Sequence, residues 1–426
     1  MKFKALVQVC VALFLFWPAA AKAFLFSYGS SSSATGAHVV LISKLVKEFR
    51  LDHPQVQIEV RGANSYVAPV VESLMYEGSA GVPEVAVVGI PESPMLLEKN
   101  RLNSLSTFLS AGDIREIRQA LRKELDVEYY GPNPHAQDYF LPFNRSNLVL
   151  YVNTALLDLS NKTQLSWSEL AAQLEKQRAS APGLRARLKV TLPLDDWNVE
   201  PMFVSVRGGP TIEHEQVHLN DAAAGEVIAM ITRLKRSGSL DLVLTQGRAY
   251  LDFSQGLTAA ALLSMSSYSS VVEGAKFPFR ILMPPSIRNK VTVIGGGDLL
   301  FPKNATMKMT AQTIKDVRTF VRWFYLERGA TLWARLVGYH PVTHAAFKSP
   351  LFKEYVSSHS LDRDVLFNTG HWERQTFYRI DRYCNVVELR KLYQDGLKEI
   401  FDADDQAPVI ARVQSSLTAL VRKPCP

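Results

Sequence analysis

The feature that most narrows the fold is a repeated change of apolar period between Phe24 and Val88. Phe24 to Tyr28 is a short apolar run, read as a strand, and a Gly/Ser-rich loop follows from Gly29 to Gly36. Leu41, Leu45 and Phe49 then recur at i, i+4 and i+8, the spacing of one helix face, until His53-Pro54 stops the helix. Val56, Ile58 and Val60 alternate with polar residues, as a half-buried strand does. Ser65 is placed to cap a second helix, which carries Pro69 in its first turn, where a missing N–H costs least. That helix runs to Tyr76 and ends at Gly78. Val85 to Val88 has the apolar continuity of a buried strand. Strand, helix, strand, helix, strand in this order predicts an α/β fold, a parallel sheet with helices on its faces.

Further along, Asn133 to Asp138 reads as a polar loop. Tyr139 to Tyr151 is almost continuously apolar, interrupted by Asn144-Arg145-Ser146-Asn147, and reads as a crossover from one lobe to another. Trp167 to Glu175 reads as a helix with Ser166 or Ser168 near its start, and Asn220 to Arg236 as another with Val227, Ile231 and Leu234 on its inner face. Gly208-Gly209-Pro210 marks a break between them. Leu257 to Met265 is small and apolar and runs into a serine-rich stretch. Phe277 to Met283 reads as a strand returning to the first lobe, ended by Pro284-Pro285. Val291 to Leu300 reads as a strand interrupted by Gly295-Gly296-Gly297. Ala311 to Arg328 and Val386 to Phe401 read as amphipathic helices, and a last short helix follows the polar break Asp402 to Gln406.

The N-terminus bears on the compartment. Lys2 and Lys4 precede an apolar run from Ala5 to Trp17, and Ala21-Lys22-Ala23 has the small-x-small form that a signal peptidase cuts. The apolar run is short of the ~20 residues a bilayer span needs, so residues 1–23 are expected to be a cleaved signal peptide and the chain to be exported to the periplasm. Removing Lys2, Lys4 and Lys22 with no acid lowers the formal charge from +7 to +4. That mild charge, with no basic stripe, argues against a nucleic-acid partner. Cys384 and Cys425 would remain, in a compartment that permits a disulfide, and they bridge or stay free with equal reason. No Gly-x-Ser-x-Gly elbow, phosphate-binding loop or His-Glu-x-x-His motif is present, so no enzyme class, metal or cofactor is indicated. His340 and His344 are four apart, but Pro341 between them disfavours a shared helix face.

Five segments carry a resemblance: Tyr139 to Asn153, Leu165 to Leu170, Ser264 to Tyr268, Val293 to Gly296, and Gly338 to Thr343. In order and spacing they resemble the extracytoplasmic solute-binding proteins of ABC importers, in the cluster that includes the maltose-binding type, and most of all the glycerol-phosphate binders. The resemblance implies a two-lobed periplasmic-binding-protein fold of type II, with the ligand in a cleft between lobes joined by crossover strands. Residues 24–143 and 276–340 would form one lobe, and 144–275 and 341–426 the other. The chain would cross near Asn144 to Leu148, near Lys276 to Arg280, and after Tyr339.

The same resemblance implies a ligand set of Tyr66, Ser146, Ser266, Ser267, Gly295, Gly296, Tyr339 and Arg382. Each has a plain structural reading beside it. Tyr66 would present its hydroxyl at a helix start, or staple that start. Ser146 would donate from the crossover, or hold a turn. Ser266 and Ser267 would cradle a phosphate, or cap a helix. Gly295 and Gly296 would let backbone approach the ligand, or form a bulge. Tyr339 would stack on the ligand, or pack in the core. Arg382 would clamp an anion with two parallel hydrogen bonds, or lie on the surface; Arg374 and Arg379 crowd the same stretch. Trp197 is a looser match to a cleft tryptophan, with core packing the expected role. One departure stands out: Ile90 occupies the place of a carboxylate that grips glycerol hydroxyls in the resembling family, with Glu92 two residues on. The implied function is a monomeric receptor that delivers a small anionic polyol to ABC permease subunits. The alternatives are a neutral sugar or oligosaccharide, or a periplasmic partner of a signalling receptor.

Overall fold

The computed structural model of the chain describes residues 23–29, 37–63, 82–90, 93–98, 100–125, 136–159, 162–213, 215–291, 293–303, 309–358 and 385–423. The signal segment, the helix expected after Ser65, both late cysteines, and Tyr66, Glu92, Arg374, Arg379 and Arg382 lie outside the described residues.

Twelve strands are described: β1 (Phe24–Gly29), β2 (Ile58–Ala63), β3 (Val85–Gly89), β4 (Leu102–Asn103), β5 (Leu141–Asn153), β6 (Val190–Pro193), β7 (Ile212–Glu213), β8 (Gln216–Val217), β9 (Leu240–Val243), β10 (Ala260–Ser264), β11 (Phe279–Leu282) and β12 (Ile294–Pro302). Ten of them form one mixed sheet in the order β2-β1-β3-β12-β5-β10-β6-β9, with β4 on β12 and β11 on β5; β7 and β8 pair apart. The helices that carry the argument are α1 (Ala37–Asp52), α2 (Trp167–Ser180), α3 (Asp196–Arg207), α4 (Ala222–Arg236), α5 (Tyr268–Gly274), α6 (Ala311–Leu326), α7 (Gly329–Val337), α8 (Pro350–Ser358), α9 (Val386–Asp402) and α10 (Gln406–Val421).

β5 is the spine that joins two lobes. Its first half, Leu141 to Asn147, pairs with β12, and its second half, Leu148 to Val152, pairs with β10. β1 pairs in parallel with both β2 and β3, and β6 in parallel with β9 and β10, so each lobe carries its own parallel set. The first lobe closes around Phe26, Phe143, Phe320 and Phe324, with Phe143 and Phe324 stacked at 4.3 Å. The second closes around Leu150, Leu192, Ile231 and Leu262, and is covered by α2, α4, α9 and α10. Helix starts are specified locally. Ser166 begins α2 with a reciprocal capping box to Glu169, and Asp221 begins α4 by accepting from Ala224 N. Such caps contribute ~1 kcal/mol each.

Three readings change. Phe277 to Met283 does not return to the first lobe: β11 pairs antiparallel with Asn153 to Leu150, the second-lobe end of β5. β12 covers only Leu141 to Asn147, so the far half of that edge needs a partner, and β11 supplies it. The passage between lobes therefore follows β11, rather than lying at Lys276 to Arg280. The triple glycine does not interrupt its strand; β12 runs through it with an irregularity of register between Gly297 and Asp298. The last helix, α10, is 16 residues long rather than short.

The polar interruption Asn144 to Asn147 is also continuous strand, and all four residues are buried. Burial is tolerated because the polar atoms are matched. Asn144 donates to the Tyr28 hydroxyl at 2.9 Å and accepts from Trp333 Nε1 at 2.8 Å. Arg145 pairs with Asp298 at 2.7 Å and donates to the carbonyls of Leu125 and Gly297. Asn147 Oδ1 lies 3.0 Å from His340 Nε2, and His340 N donates to Arg145 O at 2.8 Å, which ties the Gly-Tyr-His-Pro segment to the crossover.

Candidate functional site

In an open α/β sheet, ligands bind outside the carboxyl ends of the parallel strands. In the first lobe those ends are Gly29, Ala63 and Gly89, and Gly89 is level with Gly297, itself opposite Asn144. In the second lobe they are Pro193, Val243 and Ser264, and Ser264 is level with Leu148. The two carboxyl edges thus meet within the few residues of β5 between Asn144 and Leu148. By that rule the crossover is the expected floor of a ligand site between the lobes.

Three hydroxyls converge on that floor. Ser146 Oγ lies 2.7 Å from Ser264 Oγ, which lies 2.9 Å from Ser266 Oγ. Ser266 N donates to Ser146 Oγ at 3.2 Å. Tyr151 braces the turn by donating its phenol to the carbonyls of Ser264 and Met265. Ser146 and Ser266 are buried, while Ser264 and Ser267 are half-buried. Ser267 precedes α5 and makes no side-chain cap bond. The structure therefore brings Ser146 and Ser266 together, with Ser267 beside them. It adds Ser264, which the sequence reading passed over although it alternates with Ser266.

The two glycines have distinct reasons. A Cβ on Gly295 would stand 2.0 Å from the ring of Trp197. A Cβ on Gly296 would stand 2.0 Å from Asn144 O, and its φ of +138° lies where side chains are rarely accommodated. Gly295 opposes Ser146 in register, so its ring-covered face is the face that carries the Ser146 hydroxyl. Trp197 is half-buried: it packs against the second-lobe core, as expected, and its ring also covers Gly295. Tyr339 is buried, with its ring 6.0 Å from that of Trp333 inside the first-lobe core, which is its packing role. Ile90 is buried too, donating its N–H to Gly296 O at 3.1 Å, so an apolar side chain follows β3 here.

The second-lobe side of the floor holds an acidic helix start. Asp195 follows β6 and caps α3 by accepting from Asn198 N at 2.9 Å, with Gln246 Nε2 at 3.4 Å. Burial, with the charge of Asp196 beside it, pushes the Asp195 carboxyl up to about 6. Asp196 is engaged by Arg390 at 2.7 Å. Asn198 is fully buried, and its Oδ1 has no hydrogen-bond partner among the described residues. The signal for this cluster was legible as Asp-Asp-x-Asn ahead of an apolar helix face, a cap pattern, but nothing in the pattern says that the cap faces a cleft. Among the described residues no group of three His, Cys, Asp or Glu is placed to hold a metal, and no helix is long and apolar enough to cross a membrane.

Comparison with known proteins bears on this geometry. The chain is 25% identical over 333 residues to the sn-glycerol-3-phosphate-binding periplasmic protein of Shigella flexneri, covering 72% of each. It is 26% identical over 235 residues to the protein of that name in Shigella dysenteriae, and there the chain spans about half the length of its relative (52%). Among solved structures, it superposes with a TM-score of 0.77 and 16% identity on the Mycobacterium tuberculosis UgpB complex with glycerophosphocholine, covering 94% of this chain and 98% of that one. It superposes at 0.74 and 12% identity on a Listeria monocytogenes ABC substrate-binding protein in complex with cycloalternan, covering 93% and 98%. These likenesses share the two-lobed fold. Residues 44–358 match the profile of the bacterial extracellular solute-binding proteins, and the chain belongs to that family.

Proposed function

We propose that this chain is the substrate-binding receptor of an ABC importer and captures a small anionic polyol, sn-glycerol-3-phosphate or a glycerophosphodiester, between its lobes. The observation that carries the reading is the meeting of both carboxyl strand edges over Ser146, Ser264 and Ser266. A cleft of this kind buries most of a small ligand, and hydroxyl groups orient it. The named curated relatives bind sn-glycerol-3-phosphate. Arg382 is the proposed anion clamp, and Tyr66 a further proposed ligand contact. Cleavage after Ala23, release into the periplasm as a monomer, and delivery to inner-membrane permease subunits complete the reading.

A second reading, a neutral sugar or oligosaccharide, draws on the half-buried indole of Trp197, a flat apolar surface suited to a sugar ring. A thermal-shift panel of the chain from Phe24 onward separates the two. At about 100 times its Kd a ligand adds ~2.7 kcal/mol of stability. Stabilisation by glycerol-3-phosphate or glycerophosphocholine is expected; a response to maltose alone would sink the anionic reading.

A further inference from the structure

A groove of about 670 Å³ runs between α1 and α7 on one side and α5 and α8 on the other. α1 and α7 pack on the first-lobe core through Ile42, Leu45, Trp333 and Val337. α5 follows β10 after the short turn Met265–Ser267, and Tyr268 packs with Tyr355 of α8 in the cluster that includes Val149 and Tyr151. None of its lining belongs to the cleft floor.

We infer that this groove is a second ligand site, separate from the cleft, and that it takes a small organic polyanion. Lys44 and Lys47 sit one turn apart on α1, and Arg335 lies on α7 on the same wall. Among the described residues none of the three makes an ion pair, and Arg335 Nε is buried without a hydrogen-bond partner. Buried donors are ordinarily satisfied, so an orphan beside a groove marks a place for an acceptor. The one acid lining the groove, Glu48, is turned to Arg328 at 3.4 Å. The opposite wall carries the phenols of Tyr268 and Tyr355. Burial raises both phenols, Tyr268 to about 12, so both remain protonated at neutral pH and neither adds negative charge. Leu332, Leu336 and Val272 line the rest, giving apolar contact that an inorganic ion would not use. The volume falls within the roughly 300–1,000 Å³ range of small-molecule sites.

The test is calorimetric titration of the full exported chain with citrate, and separately with inorganic pyrophosphate, at pH 7.5 and low salt. Saturable one-site binding of citrate is expected, tighter than that of pyrophosphate, weakened at least tenfold by Lys44→Ala and by Arg335→Ala, and unchanged by Ser266→Ala in the cleft. Lys44 is exposed, so its variant keeps the fold whatever Arg335→Ala does. Absence of saturable binding, or binding lost only in Ser266→Ala, overturns the site. Glycerol-3-phosphate titrated into the same variants reads the cleft separately, so failure of one site is not confused with failure of the other.

Discussion

The ring of Trp197, at the start of α3 in the second lobe, fills the space that any side chain at Gly295 of β12 would need. The two residues lie 98 positions apart in the chain and meet on the face that carries Ser146. Gly295→Ala should therefore destabilise through overpacking, by about 1–3 kcal/mol. Trp197→Ala in the same chain should recover much of that loss. A double-mutant cycle by urea denaturation measures it: coupling above about 1 kcal/mol is expected, and simple additivity would mean that the two do not touch.

Arg145 and Asp298 form an ion pair at 2.7 Å with both side chains out of solvent. Removing one partner strands the other charge, so Asp298→Ala should cost about 3–5 kcal/mol. Arg145→Met with Asp298→Leu should cost clearly less, because neither charge is then buried alone. Guanidinium midpoints for the three chains check the order.

Asp195 sets a pH dependence with a definite sign. Its folded value of about 6 lies above the ordinary 3.8, so the fold holds this proton more tightly than the unfolded chain does. Its contribution is fully present below about pH 4 and is lost as pH rises through 6, at most about 3 kcal/mol. Asn caps helices as well as Asp, so Asp195→Asn should keep α3, flatten stability between pH 4 and 6, and exceed the parent at pH 7.5. Melting temperatures across that range test it; an unchanged slope would assign the dependence to other groups.

The hydroxyl cluster should matter to ligand capture more than to folding. Ser146→Ala removes the oxygen that receives Ser266 N and faces Ser264. About tenfold weaker binding is expected, ~1.4 kcal/mol, with a melting temperature within a few degrees of the parent. Full affinity in Ser146→Ala would take the cluster out of the site.

Local signals made much of the fold legible. The period changes from Phe24 to Val88 match β1, α1, β2 and β3 where they are described, and of Ser166 and Ser168, both expected near the start of α2, Ser166 is the cap. The place of β11 was not legible, because a four-residue apolar strand carries no record of which edge it joins; the free half of β5 decides that. The contact of Trp197 with Gly295 was not legible for a related reason. It depends on a glycine a hundred residues away, and an aromatic in a helix reads as core by default. Ser146 and Ser266 entered through the family resemblance, and the structure sets their hydroxyls beside Ser264, which sat inside the apolar run and was absorbed into it.

The most direct measurement is isothermal titration calorimetry of the chain from Phe24 onward with glycerophosphocholine and with sn-glycerol-3-phosphate. One-to-one binding of at least one of them is predicted, weakened in Ser146→Ala and lost in Arg382→Ala. Saturable binding of a neutral oligosaccharide with no heat from either phosphate ligand would contradict the proposed anionic polyol.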